Sequence, residues 1–284
     1  MRRPAEISAE EDAMKTLAML TNVFEGIASM RIAQVKNQVL KSQQFFDELW
    51  HIYTQLRVDS LFRYGRTEAQ ADVIEKDLMI GVTAEGSFSG DIDQKLVRLM
   101  LDNYDPKKND IIIIGHHGAQ QLAQASVSFK KYFKLPTSDQ NINVTPLIKE
   151  VQQYKSCKVY YQTYVSLMAQ DVKSIDLSTA VKQQGDSAGK ADEIISDANY
   201  IFEPSSYAVI GHLERSMVNI MLGQVILESK LAQYASRFKA MSNAHKKADE
   251  TVNDLHMSWS RAKRGLKDER LKEIVNGLRK AKVA

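Results

Sequence analysis

Two short glycine-bounded stretches hold the residue types that could do chemistry. Gly115-His116-His117-Gly118 follows an apolar run and precedes a helical stripe, a position in which phosphate-binding loops occur. It lacks the G-x-G-x-x-G spacing, and G-x-x-x-x-G-K-S/T occurs nowhere in the chain. Adjacent histidines project in different directions and seldom chelate one metal together, so a tight strand-to-helix turn is the expectation. Gly86-Ser87-Phe88-Ser89-Gly90 offers two hydroxyls after another apolar run. A serine nucleophile there would need a paired histidine, and the order of residues is not that of a G-x-S-x-G elbow. The single cysteine, Cys157, excludes an internal disulfide or a cysteine-based metal cluster and fits a reducing compartment. No catalytic residue, metal ligand set or cofactor is therefore expected.

A third cluster is electrostatic. From Ser260 to Ala284 there are nine Lys/Arg against Asp268, Glu269 and Glu273, although the whole chain carries a net charge of only +3. Cations at a helix C-terminus favour the negative end of its dipole, and the same cluster suits an acidic partner surface. No helix-turn-helix signal or aromatic platform accompanies it, so nucleic acid is not an expected partner.

Long helices must carry this cluster. Leu213, Met217, Ile220, Gln224, Leu227, Leu231, Tyr234, Phe238, Met241, His245, Ala248, Val252, Leu255, Trp259, Ala262 and Leu266 alternate at spacings of four and three. Such a 3.5-residue period winds a helix left-handedly around a partner. No proline lies beyond Pro204, so one helix of roughly 100 Å is expected at ~1.5 Å per residue. Its partner is expected from about Glu11 to Leu56, where Gly26 is the only glycine. There Leu17, Leu20, Phe24 and Ile27 repeat at helical spacing. A stutter of one position then leads to Ala28, Ile32, Val35, Val39, Ser42, Phe46, Leu49, Tyr53 and Leu56.

Between the helices the pattern changes. Leu78–Thr83 and Asp110–Gly115 read as buried strands, each followed by a helical stripe, Ile92–Tyr104 and Gln120–Phe133. Pro146–Tyr154 reads as a helix, Lys158–Leu167, Asp171–Leu177 and Tyr200–Pro204 as strands, and Val181–Asn199 as a loop. Strand–helix alternation predicts a small α/β layer, Rossmann-like with a mainly parallel sheet. The expected division is an N-terminal helix at 1–60, an α/β domain at 61–204 and a C-terminal helix at 205–284. Hydrophobic residues at 44% and charged residues at 26% fit a soluble chain with a real core, and no apolar run reaches the ~18 residues of a membrane span. The first residues turn acidic at Glu6, Glu10, Glu11 and Asp12, without an apolar core, so neither a signal nor a transit peptide is expected.

This layout resembles the gamma subunit of rotary F-type ATP synthases over nearly the whole chain. Arg237-Phe238-Lys239-Ala240-Met241 looks like the family's R-M-x-A-M, and without a gap Trp259-Ser260-Arg261-Ala262-Lys263-Arg264 falls on its Y-N-x-A-R-Q. Glu273-Ile274-Val275-Asn276-Gly277 is its E-I-V-x-G, and Tyr200–Pro204 resembles the Y-E-P that introduces its last helix. Gly115–Gly118 looks like the G-x-K-G turn with His117 for lysine. Thr83–Asp93 is similar to S-D-R-G-L-C-G-G-L-N, keeping Gly90 and an acidic Glu85. Thr21–Ile32 is similar to the T-x-K-I-T-x-A-M-x-M-V-A-x-x-K-M helix. The departures are Lys263-Arg264 for Arg-Gln, Lys267-Asp268 for Ile-Thr, Asp91 for the second glycine, and the loss of most N-terminal lysines and threonines.

The resemblance implies a long antiparallel coiled coil with an α/β domain, acting as the non-catalytic central shaft of an ATP synthase. Its implied partners are a ring of nucleotide-binding alpha- and beta-type subunits, an epsilon/delta-type stalk subunit and a membrane rotor ring. The implied location is peripheral, on the cytoplasmic face of a bacterial inner membrane, preferred over an organellar inner membrane because no transit peptide is expected. Lys263, Arg264 and Lys267 are the implied contacts with the catalytic subunits, while Leu227, Leu231, Tyr234, Phe238, Met241, Val252, Leu255 and Trp259 form the seam. The alternatives are a gamma-like shaft of a dedicated ATP-driven motor, a coiled-coil scaffold or adaptor, and, with least support, a small-molecule enzyme.

Overall fold

The structure, a computed structural model, describes residues 2–55, 73–86, 88–139, 142–177, 179–181, 203 and 205–283. Helix α1 runs Pro4–Gln55, 52 residues, and opens on a proline, whose missing N–H costs nothing at the first helical position. Strand β1 (Ile74–Val82) follows, then α2 (Ile92–Asp102), β2 (Asn109–Ile114), α3 (His116–Gln124) and β3 (Lys131–Phe133). Next come α4 (Thr145–Val151), β4 (Tyr154–Tyr164), β5 (Gln170–Asp176) and the 78-residue helix α5 (Ser206–Val283). Ser205 caps α5, its Oγ accepting the Ala208 N–H at 3.2 Å.

The sheet order is β3-β2-β1-β4-β5, parallel throughout except for the antiparallel β4–β5 pair. The expected helix Gln120–Phe133 is corrected here: α3 stops at Gln124 and Lys131–Phe133 is a short edge strand on β2. Phe129 and Phe133 mimicked a helical stripe. The expected strand Tyr200–Pro204 apart from Glu203, the loop Val181–Asn199 apart from its first residue, which is helical, and the domain edges at 60 and 204 lie outside the described residues.

Two compact units form, Met1–Ile27 with Phe238–Ala284, and Ala28–Arg237. In the second unit, alternate strand residues divide between the two faces of the sheet. Leu78, Ile80, Val82, Ile112, Ile114, Val159 and Tyr161 face the helix pair, meeting Phe46, Trp50 and Tyr53 of α1 and Met217, Val218, Leu222 and Val225 of α5. Met79, Ile111, Ile113 and Tyr160 face α2 and α3 through Leu96, Val97, Met100 and Leu122. Burying each such side chain contributes about 1.5–3 kcal/mol, so the sheet is held from both sides.

The helix pair corrects one expectation. The inward positions of α1 run unbroken at four-three spacing: Ile7, Glu11, Met14, Ala18, Thr21, Glu25, Ala28, Ile32, Val35, Val39, Ser42, Phe46, Leu49 and Tyr53. No stutter interrupts them. Leu17, Leu20, Phe24 and Ile27, expected in the seam, point outward at 41–50% exposure. They lie opposite the small and polar residues that meet α5.

Candidate functional site: the helix pair and its polar joint with the sheet

In the second unit α5 changes character along its length. From Leu213 to Ile226 it offers the sheet apolar side chains. Over the next turns it offers Glu228, Ser229, Lys230, Gln233, Ser236 and Arg237 to the carboxyl ends of the strands. Gln162 at the end of β4 accepts from Ser229 Oγ and, at 3.3 Å, from Gln233 Nε2. The other end of its amide donates to Asp93 Oδ1 at 2.6 Å. Ser236 Oγ donates to the Ser89 carbonyl at 2.6 Å, and Thr163 Oγ1 donates to Glu228.

In open α/β sheets, ligands bind beyond the carboxyl ends of strands where the strand order reverses. That point lies between β1 and β4 here. The chain's own helix fills it, with Ser229, Gln233 and Ser236 all buried. The arrangement holds a helix by hydrogen bonds.

The two glycine-bounded stretches converge on this joint. Thr83, at the end of β1, donates from Oγ1 to the Ile114 carbonyl at 2.9 Å and accepts the Gly118 N–H at 2.9 Å. A Cβ on Gly115, which has φ +97°, would lie 2.1 Å from the Thr83 carbonyl oxygen, and one on Gly118 would lie 2.6 Å from Thr83 Oγ1. Both glycines are therefore required by the close crossing of β1. His117 is turned to Asp93, Nδ1 to Oδ2 at 3.0 Å, while His116 is exposed. Asp93 also accepts the Ala84 N–H at 3.2 Å. Burial pushes its carboxyl above the usual carboxylate range, against the lowering contacts of His117, Ala84 and Gln162. Arg237, facing that carboxylate, is lowered by burial. Ser89 is 2% exposed, and its hydroxyl has no hydrogen-bond partner among the described residues. Cys157 is buried and its thiol pushed far up by desolvation, which makes it inert. Among the described residues no group of three or more His, Cys, Asp or Glu could hold a metal ion.

In the first unit the helices meet antiparallel. His245 Nδ1 lies 3.0 Å from the Ala18 carbonyl, and His256 Nδ1 lies 3.3 Å from Glu11 Oε1. Glu11 is held below the usual carboxylate range, first by its hydrogen bond from Lys15. His245, a polar break in the α5 pattern, is thus matched by a backbone acceptor. Along α5 the seam positions Leu227, Leu231 and Met241 are buried, and Tyr234, Phe238, Val252, Leu255 and Trp259 half-buried.

The basic residues separate on closer view. Lys263 sits over the Trp259 ring, 4.4 Å from its centroid. With Lys267 and Arg270 it lines a groove of about 390 Å³ against Pro4, Ala5 and Ser8. Arg264 is exposed and folds back to donate to the Ser260 carbonyl at 3.3 Å. Arg270 is the groove cation that spacing alone did not single out. No helix among the described residues is long and apolar enough to cross a membrane.

The sequence profile of the ATP synthase family matches residues 5–279. The chain belongs to the ATP synthase family. Among characterised relatives, it is 21% identical to the ATP synthase gamma chain of Rickettsia bellii (strain RML369-C), covering 93% of this chain and 94% of that one. It is 23% identical to the gamma chain of Chlorobaculum tepidum, over 93% and 94%. In fold it is similar to a chain of the Euglena gracilis mitochondrial ATP synthase OSCP/F1/c-ring structure, with a TM-score of 0.64 at 15% identity over 96% and 94% of the two chains. A chain of the rotor structure of the same enzyme matches with a TM-score of 0.59 at 14% identity, over 92% and 99%. The long helix pair and the small parallel sheet are thus features this chain shares with members of the ATP synthase family.

Proposed function

We propose that the chain is the central shaft, the gamma-type subunit, of a rotary F-type ATP synthase, coupling proton or sodium flow across a membrane to ATP synthesis or hydrolysis. The observation that carries this reading is the antiparallel packing of two unusually long helices in a chain matched by the ATP synthase profile over residues 5–279. It catalyses nothing alone. A ring of alternating alpha- and beta-type subunits surrounds the helix pair, an epsilon/delta-type subunit joins it, and a membrane rotor ring turns it. The chain sits peripherally, on the cytoplasmic face of a bacterial inner membrane.

The helix pair presents unlike faces around its circumference. α1 shows an uncharged apolar strip from Leu17 to Phe24, and α5 a basic end at Lys263, Arg264, Lys267 and Arg270. Each catalytic subunit has open and closed states, and the face it meets biases which is populated. Rotation carries that bias around the ring. Lys263 and Lys267 are the foremost contacts for an acidic loop of a catalytic subunit, with Arg270 beside them in the groove. Arg264 makes a second, more peripheral contact.

A second reading, a gamma-like shaft of a dedicated ATP-driven motor, draws on the Lys263-Arg264 and Lys267-Asp268 departures and on the uncharged strip. Native pull-down from membranes, with a tag between residues 182 and 199, tests both. One copy of the chain with nucleotide-binding partners in threefold number and ATP hydrolysis is expected. Co-purifying ion-conducting subunits select the synthase. A homo-oligomer without nucleotide-binding partners would replace the shaft by a scaffold.

A further inference from the structure

Lys230 is 2% exposed, a rare condition for a lysine in any protein. Its ammonium is surrounded by oxygens from one loop, the segment after β3. It donates to the carbonyls of Pro136 at 2.8 Å and Ser138 at 3.1 Å, and pairs with the Asp139 carboxylate, itself 8% exposed. The other carboxylate oxygen of Asp139 lies 3.4 Å from Arg31 Nη1 on α1. One loop therefore takes a cation from each long helix.

Burying such a pair is a poor way to gain stability, since desolvation offsets most of the attraction. Its best-attested use is to fix register. The seam leaves that need open. At this level it consists of Ile32, Val35 and Val39 against Leu227, Leu231 and Tyr234, and an apolar heptad seam packs comparably when slipped by one repeat. Asp139 discriminates, because it reaches Arg31 and Lys230 together only when these two residues stand at one level.

We propose that Asp139 is a register lock, a positioning residue that clasps Arg31 of α1 and Lys230 of α5 and so fixes how the two helices slide and turn against each other. In the shaft reading, on which this consequence rests, the lock lets torque applied at the α/β domain turn both helices as one body.

Pulsed electron paramagnetic resonance on the full chain tests the lock without partners. Spin labels at L40C and N219C, both exposed, report the distance between α1 and α5, and buried Cys157 does not compete. The original chain is expected to give one narrow distribution. R31Q, at a half-exposed position tolerant of change, and D139N are expected to broaden it or add a population displaced by about 5–10 Å, one turn to one heptad. R31K, which keeps the charge, is expected to restore the narrow distribution. Narrow distributions unchanged in both R31Q and D139N would overturn the lock. In the assembled complex, both variants are expected to lose ion pumping several-fold more than ATP hydrolysis, and equal losses would remove the mechanical role. Failure of the original chain to assemble would sink the shaft reading instead, while the distance measurement would still decide the lock.

Discussion

Thr83 organises the turn that two glycines and two histidines form around it, and the cost of crowding it can be ranked. An alanine at Gly118 would press its methyl 2.6 Å from Thr83 Oγ1 and 2.8 Å from Ile113 Cδ1. Overpacking of this kind costs about 1–3 kcal/mol. G115A should cost more, because its methyl meets backbone rather than side chain and its φ of +97° disfavours any Cβ. Urea midpoints of the two variants check the order. Asp93 gives a prediction with a sign. Its carboxyl is raised by burial in the folded chain, so the folded chain holds that proton more tightly than the unfolded one. The associated stability is present below the unfolded value, ~3.9, and is lost as pH rises through the raised value. D93N has no carboxyl to ionise. Its unfolding free energy relative to the original chain should therefore rise as pH increases above about 4, read by denaturation at stepped pH. A relative stability that falls with pH would show that the contacts with His117 and Arg237 outweigh burial. The glycine turn was legible from its residues alone, since glycines bounding a strand-to-helix junction announce a close crossing. The Asp93–His117 contact was not, because the two come from different elements and only the sheet order brings them together.

The two long helices differ in how openly they declare their packing. On α5 the inward residues are also the apolar ones, so four-three spacing located them. Residues 228–237 are buried on further faces because the sheet closes over them, and no helical period describes that. Over the first half of α1, up to Ile27, the more apolar face points outward, whereas Glu11, Thr21 and Glu25 point inward. Hydrophobic periodicity finds the apolar side of a helix, whichever neighbour that side serves, and this produced a stutter the helix does not have. A helix apolar all round is one that is enclosed. From Thr16 to Phe24 the chain carries no charge. L17S/L20S should accordingly leave the unfolding free energy of the isolated chain within about 0.5 kcal/mol of the original. Capture of nucleotide-binding partners in the pull-down should be lost. Retained capture would mean that the strip meets nothing in the complex.

At the scale of the molecule, about four residues in five differ from the gamma chains it matches, yet the element order and the helix pair remain. That is the expected outcome where seam and sheet faces constrain residue character rather than identity. The motifs that carried the resemblance cluster on α5, where seam and surface both constrain the sequence. The outward strip of α1 has a further consequence, in the life of the chain before assembly. Five exposed side chains, Leu17, Met19, Leu20, Val23 and Ile27, form the kind of surface that chaperones and proteases engage. A copy without partners would thus carry the mark of its own incompleteness, and removal of excess would free supply from being matched to demand at synthesis. Pulse-chase labelling should show the chain decaying several-fold faster when its partners are depleted, with L17S/L20S outliving it under the same depletion. Equal half-lives would mean that orphan copies are recognised elsewhere or tolerated.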